Sequence, residues 1–291
     1  MLSTTKKFID RYKVHNNDKL LTVFHENEYV VLITEKGNRY FLTLRNKRRY
    51  HTNEGSFSAD DIIGKEEGVE LTSNIGQRAV VFRPTIIEYL LSLPRRTQIT
   101  YPKDIGFLVA TTGLGPGSKV VEGGTGSGVL ALFLAWHVKP NGKVYSYDLD
   151  DEYFPAIRRH ADALGLSNVI ELKKGDLSLN VEEKDVDVFI ADVPEPWRSV
   201  ESAYKSLKTG GIYAAIVPTV EQLIKTSTAL KLKGFFEYFS GEVFFRPWRV
   251  KEGMTRPQHT MRAHTVFIII ARKTSIIDTS SWAFKLPDGY K

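Results

Sequence analysis

Four carboxylates stand where successive expected strands stop. KVVE ends at Glu122, KVYSYD at Asp148, VIELKKGD at Asp176 and VDVFIAD at Asp192. Behind Glu122 lies GGTGSG, with Gly124, Gly126 and Gly128 alternating with Thr125 and Ser127. A tight turn of this kind exposes peptide N–H groups at a helix N-terminus, which suits an anionic or polar ligand. A carboxylate beside such a ligand can stabilise positive charge that develops on a reacting group. The chain has no cysteine, which excludes thiol catalysis, disulfides and Cys-ligated metal.

The spacing separates cofactors. Gly124-Thr125-Gly126 opens like a dinucleotide fingerprint, but that pattern needs a third glycine at 129, where Val129 stands. No Gly-Lys-Ser/Thr ending makes a nucleotide P-loop. An acid followed by glycines at alternating positions resembles the first motif of S-adenosylmethionine-dependent methyltransferases of the doubly wound class. Asp148 follows the loop by about 20 residues, where an acid accepts both ribose hydroxyls. Asp176, after Gly175, can accept from an adenine amino group. Any one strand-end acid could instead cap the following helix. Four in succession behind this loop favour cofactor binding.

The turn DVPEPW sets Asp192 before Pro194, Glu195, Pro196 and Trp197. If the methyl acceptor is an adenine, N1 offers an in-plane lone pair and needs no deprotonation. Methylation makes the base cationic, and a carboxylate hydrogen-bonded to the N6 amino group favours that charge in a water-poor site. The prolines would hold the acid, and Trp197 would pack beneath the turn or beside the base. The plainer alternative is a rigid turn with a capping acid and a packed tryptophan.

The elements that must position these groups can be read from periodicity. Residues 18–75 alternate with period two around turns such as Lys36-Gly37-Asn38 and predict a small all-β module. From Tyr101 helices and strands alternate. Helices are expected over 104–112, 128–138, 151–164, 199–207 and 220–232. Strands are expected over 119–122, 143–148, 169–173, 185–192, 212–217, 237–245 and 265–272. This pattern predicts an α/β fold, a doubly wound Rossmann-like sheet with helices on both faces. The expected division is a small β-rich N-terminal domain (1–75), a connector (76–100) and a methyltransferase domain (101–291).

The balance of charge varies along the chain. Residues 1–100 carry 16 Lys/Arg against 12 Asp/Glu, residues 101–240 carry 15 against 18, and residues 241–291 carry 9 against 4. Basic ends around an acidic middle fit a catalytic centre flanked by surfaces that meet a polyanion, or ordinary surface variation. RNKRRYH, which contains Arg48 and Arg49, reads as a phosphate-contacting edge or as a charged hairpin that blocks edge pairing. No apolar run is long enough to span a membrane. The opening MLSTTKKFIDRYK lacks the apolar core of a signal peptide, so a cytoplasmic protein is expected.

TQITYPKD (97–104), EGGTGSG, DVPEPW and RPQHTMRAHTVF, with FSADDIIGKEEG (57–68) nearer the N-terminus, together resemble the tRNA (adenine-N1)-methyltransferases that modify the T-loop adenosine at tRNA position 58. The resemblance covers nearly the whole chain. It implies methyl transfer from S-adenosylmethionine to N1 of adenosine, tRNA as partner and a homotetramer; no metal is expected. It implies further that Asp192 contacts the target base, Tyr101 lies near methyl and base, and Gln98 lies near the cofactor. Cofactor contacts are expected from Glu122, Gly124, Thr125, Gly126, Ser127, Gly128, Asp148, Gly175, Asp176 and Asp192. Substrate contacts are expected from Arg48, Arg49, Trp197, Arg262 and His264. Three positions depart from the family pattern. Asp148 replaces a longer Glu, Thr260 replaces an Arg four residues before His264, and Val266 replaces a small residue. Competing readings are a different methyl acceptor, such as a protein carboxylate or a tetrapyrrole-like molecule, and a non-catalytic tRNA-binding subunit.

Overall fold

The computed structural model describes residues 23–94, 98–179, 181–283 and 285. The opening stretch 1–22 and Thr97, at the head of TQITYPKD, lie outside the described residues. Two compact units emerge, one running up to Pro94 and taking in Arg159–Gly165, the other holding the rest.

The first unit is built on six strands: β1 (Tyr29–Thr34), β2 (Arg39–Thr43), β3 (Arg49–Thr52), β4 (Gly55–Ser58), β5 (Glu70–Thr72) and β6 (Arg78–Phe82). Four form an antiparallel sheet in the order β2-β1-β6-β5, while β3 and β4 make a separate hairpin. Gly37 turns the chain between β1 and β2 with φ of +85°, a conformation glycine adopts without strain. Phe24, Val30, Leu32, Leu44, Phe57 and Val81 fill the core. The stretch 76–100, expected as a connector, carries two regular elements. These are β6, which pairs with β1 and β5, and helix α1 (Ile86–Leu91). Thr85 and Glu88 close a reciprocal capping box at the start of α1.

The second unit is a seven-stranded sheet in the order β12-β15-β11-β10-β7-β8-β9. Its strands are β7 (Lys119–Gly123), β8 (Lys143–Asp148), β9 (Ile170–Lys174), β10 (Val186–Ala191), β11 (Leu207–Val217), β12 (Phe235–Gly241) and β15 (Phe267–Lys273). From β9 through β11 all neighbours are parallel, whereas β15 runs antiparallel to both β11 and β12. The helices are α2 (Pro102–Thr112), α3 (Val129–Val138), α4 (Phe154–Leu164, of which Arg159 onward falls in the first unit), α5 (Val200–Ser206) and α6 (Val220–Leu232). The chain steps outward from β7 to β8 and β9, then returns to the other side of β7 through β10 and β11. With that strand order, crossovers of the usual right hand would set α3 and α5 on opposite faces. The reversal makes a switch point between β7 and β10, where the carboxyl ends of strands open a crevice.

The buried strands explain their own sequences. FIIIA in β15 and VFIA in β10 are continuous apolar runs because both faces are covered. β11 begins at Leu207, earlier than the expected 212, with a register shift against β10. β12 ends at Gly241, and the chain beyond it forms an unexpected two-residue ladder of β13 (Trp248–Arg249) and β14 (Arg256–Pro257).

Candidate active site

The glycine loop is fixed to its neighbours through its backbone. At Gly124 φ is +92°, and a β-carbon there would stand 1.9 Å from the Asp192 carbonyl oxygen. Asp192 N–H donates to the Gly123 carbonyl (2.9 Å), while Gly124 N–H donates to the Tyr147 carbonyl (2.9 Å). Gly128 leads into α3 with φ of +82°. Under the loop, Thr125 Oγ1 lies 2.6 Å from Ser146 Oγ, and Ser146 in turn donates to Glu122 Oε2. Glu122 is fully buried, and its Oε1 has no partner among the described residues. Burial pushes the Glu122 carboxyl up to about 8, against the pull of Ser146 and with help from the charges of Asp192 and Asp148.

Three strand-end acids meet at the crevice. Asp148 accepts from Gly126 N–H (2.8 Å) through Oδ2 and from Asp150 N–H (3.1 Å) through Oδ1. Asp176 accepts from the Ser178 hydroxyl (2.7 Å) and amide (2.8 Å), which hold its carboxyl below the usual range. Asp192 Oδ2 accepts from Thr100 Oγ1 at 2.9 Å. Burial pushes Asp192 up to about 6, opposed by the Thr100 bond. A cleft of about 420 Å³ is lined by Gln98, Gly124, Gly126, Asp148, Gly175, Asp176 and Asp192.

These walls fit a nucleoside-bearing cofactor. Each carboxylate oxygen has two lone pairs, so Asp148 and Asp176 can accept from hydroxyl and amino groups beyond their internal bonds. At Gly124 the absent side chain lets β7 and β10 close on one another beside the cleft. Not every expected contact reaches that surface. Glu122, Thr125, Ser127 and Gly128 are outside the cleft lining. Glu122 and Thr125 act beneath the loop, tied together through Ser146.

The expected substrate residues are spread more widely. Tyr101 caps the start of α2 and lines a second, largely apolar cavity of about 500 Å³ with Lys103, Phe245, Met261, Arg262 and Thr265. The Arg262 guanidinium donates to the Tyr101 hydroxyl and covers its ring at 4.6 Å. Trp197 is half-buried, has Lys225 over its ring at 4.9 Å, and lines neither cavity. His264 is engaged at both nitrogens, by Glu242 (2.8 Å) and by the Pro218 carbonyl (3.1 Å). Both partners are acceptors, so the pair of bonds favours the protonated ring and raises its pKa. In the first unit Arg48 and Arg49 are exposed. Arg48 lies over the Tyr50 ring at 5.7 Å, and Arg49 reaches Ser56 at 3.3 Å.

Several contributors were not among the expected site residues. Thr100 and Ser146 bond to the acids from other strands or segments. Arg198 and Leu177 line the cleft without belonging to any motif. Lys103, fully buried Asp104 and Thr265 close a network that ties α2 to the residues just before β15. Lys103 Nζ donates to Asp104 (2.7 Å) and Thr265 (2.5 Å), and Thr265 donates to Asp104 (2.7 Å). Among the described residues no group of His, Asp and Glu is placed to hold a metal, and no helix is long and apolar enough to cross a membrane.

Comparison with known proteins agrees with this geometry. Residues 79–265 match the family described as tRNA methyltransferase complex GCD14 subunit, and residues 23–70 match the TrmI-like N-terminal family. The tRNA (adenine(57)-N(1)/adenine(58)-N(1))-methyltransferase TrmI of Methanocaldococcus jannaschii is 35% identical over 84% of this chain and 94% of its own. A SAM-dependent O-methyltransferase structure from Thermotoga maritima superimposes with a TM-score of 0.85 at 29% identity, over 90% of this chain and 98% of that one. The tRNA (m1A58) methyltransferase TrmI of Aquifex aeolicus gives 0.77 at 28% identity, over 87% and 100%. The chain therefore belongs to the tRNA methyltransferase complex GCD14 subunit family, as an enzyme that uses S-adenosylmethionine as methyl donor.

Proposed function

We propose that this chain transfers a methyl group from S-adenosylmethionine to N1 of adenosine 58 in the T-loop of tRNA, leaving S-adenosylhomocysteine. The observation that carries the reading is Asp192. It is a carboxyl at the switch point, pinned by Thr100 and facing the cleft beside Gly124. When bound, the cofactor supplies an electrophilic methyl group on a sulfonium. Asp148 is suited to the ribose hydroxyls and Asp176 to the adenine amino group. The backbone at Gly124 and Gly126 is suited to the part of the cofactor between them and the reacting centre.

Asp192 accepts a hydrogen bond from the N6 amino group of the target base. Its negative charge, which predominates above about pH 6, stabilises the positive charge the base acquires at N1. No residue need remove a proton before attack. Tyr101 offers a ring face to the base once Arg262 moves aside. Trp197 and His264 support the neighbouring turn and strand through packing. Arg48 and Arg49 contact tRNA phosphates, and the basic segment after residue 241 adds to the attraction. A folded tRNA hides its T-loop base, so the enzyme must extract it at a cost of a few kcal/mol. A homotetramer, supported by the family resemblance, completes the proposal, and its place is the cytoplasm, as the cysteine-free sequence suggests.

The test is transfer of label from tritiated S-adenosylmethionine to unmodified tRNA transcript, with nucleoside analysis and mapping of positions 57 and 58. Label in 1-methyladenosine at 58 is expected, with loss of about 10²–10³-fold in Asp192→Ala while cofactor binding persists. Label on an oxygen acceptor, the chemistry in the description of the Thermotoga structure, would replace this reading.

A further inference from the structure

The turn that carries Asp192 is anchored at three backbone groups, the amide of Asp192 and the carbonyls of Pro194 and Pro196. Asp192 N–H reaches the Gly123 carbonyl at 2.9 Å, and Gln222 Nε2 donates to the Pro194 carbonyl at 2.8 Å. The buried hydroxyls of Tyr213 and Ser199 both donate to the Pro196 carbonyl at 2.8 Å. With the main chain held this way, the freedom left to Asp192 is the rotation of its own side chain. The carboxyl torsion is broad and nearly two-fold, so backbone rigidity alone does not choose which oxygen points where. Thr100 makes that choice. Its side chain is buried, is stiff at χ1, and donates to Oδ2 at 2.9 Å, while Oδ1 takes no hydrogen bond from the described residues.

We propose that Thr100 is a positioning residue for methyl transfer: its hydroxyl occupies Oδ2 of Asp192 and leaves Oδ1 as the one acceptor presented to the amino group of the target base. The proposal rests on the reading that Asp192 meets that base. Two consequences separate it from a merely structural role. A hydroxyl donating to a carboxylate favours the charged form, so Thr100 keeps Asp192 ionised at lower pH than burial alone would allow. The bond also selects an orientation, so its loss should reduce the rate even where Asp192 is fully ionised.

The variants are Thr100→Val, which keeps shape and burial but removes the donor, and Thr100→Ser, which restores it. Two readouts are needed. The first is titration of the Asp192 carboxyl carbon by NMR in the full chain, labelled at aspartate, without tRNA. The second is kcat/KM for tRNA across pH 5.5–9, whose acidic limb reports groups of the free enzyme. Cofactor binding confirms that each variant is folded. Thr100→Val is expected to raise the Asp192 midpoint and to move the acidic limb with it. Activity should fall roughly tenfold near pH 6.5, with a smaller loss persisting at pH 9. Thr100→Ser should recover most of both. An unmoved midpoint in Thr100→Val overturns the proposal outright. A moved midpoint with an unchanged pH–rate profile overturns instead the reading of Asp192 on which it rests, so the two failures are distinguishable.

Discussion

Gly124 lies directly against the carbonyl of Asp192, so close that a single added carbon would sit 1.9 Å from the oxygen. The loop expected to cradle the cofactor and the turn expected to face the substrate therefore share one backbone contact. A change at either end is felt at the other. Gly124→Ala combines a positive φ with a collision against main chain that cannot swing away. The expected cost is about 3 kcal/mol of stability, together with loss of cofactor binding. Thermal melts and calorimetric titration would check both, and a variant that binds with wild-type affinity would remove the contact from the account.

Asp192→Asn separates function from stability. Burial raises the native pKa of this carboxyl to about 6, above its ordinary value. The native state therefore holds its proton longer than the unfolded chain. Its contribution to stability is complete below the ordinary carboxylate range and is lost as pH rises to about 6. Above that pH the wild type carries a disfavoured charge, and Asn does not. The variant should lose methyl transfer by about 10²-fold or more. At pH 8 it should nevertheless melt at or above the wild-type temperature, by an amount worth roughly 1–2 kcal/mol.

Glu122 obeys the same sign over a wider window. Burial pushes its native carboxyl up to about 8, which favours the neutral form at pH 7 beneath the loop. Wild-type stability should decline from the ordinary Glu range up to about pH 8 and then level, as far as this group controls it. Glu122→Gln removes that titration. The difference in melting temperature, variant minus wild type, should climb between pH 5 and pH 8 and stay flat beyond. A pH-independent difference would show that the carboxyl is ionised in the folded protein.

Arg48 and Arg49 are exposed on the hairpin unit, with only light ties to Tyr50 and Ser56. Replacing both with Ala should leave the fold unchanged. If they meet phosphates, tRNA affinity should fall and the slope of log K against log salt should shallow by about 1–2. An unaltered slope would assign these side chains to edge protection instead.

How much of this was legible depended on whether a signal was local. β8 and α6 were read with their observed bounds, 143–148 and 220–232, because apolar period and flanking polar residues agree there. Thr219, which caps α6, is such a flanking residue. The strand ends at Glu122, Asp148 and Asp192 were legible for the same reason, whereas Asp176 stands two residues beyond β9, after Lys173, Lys174 and Gly175. Thr100 stands inside TQITYPKD, but its pairing with Asp192 was not legible, since the two lie 92 residues apart and no periodicity records a side-chain pair of that separation. Glu122 was expected to touch the ligand, but the register of β7 turns it under the loop, where burial is complete. Helix α1 was missed although TIIE announces its capping box, because Arg83-Pro84 reads as a break. The β13–β14 ladder, with two residues on each side, is too short for any period to appear.

The insertion of β15 between β11 and β12 also bears on how the protein is born. During translation β12 leaves the ribosome before its only neighbour in the sheet, since it pairs with β15 and with no other described strand. Residues 242–266 must be made before that partner arrives, which takes on the order of seconds at ordinary elongation rates. Through that interval Phe235 and Phe239, buried in the finished sheet, have no strand to cover them. The nascent chain thus passes through a stage with an open, apolar sheet edge, the kind of surface that chaperones hold and that neighbouring polysomal chains can capture.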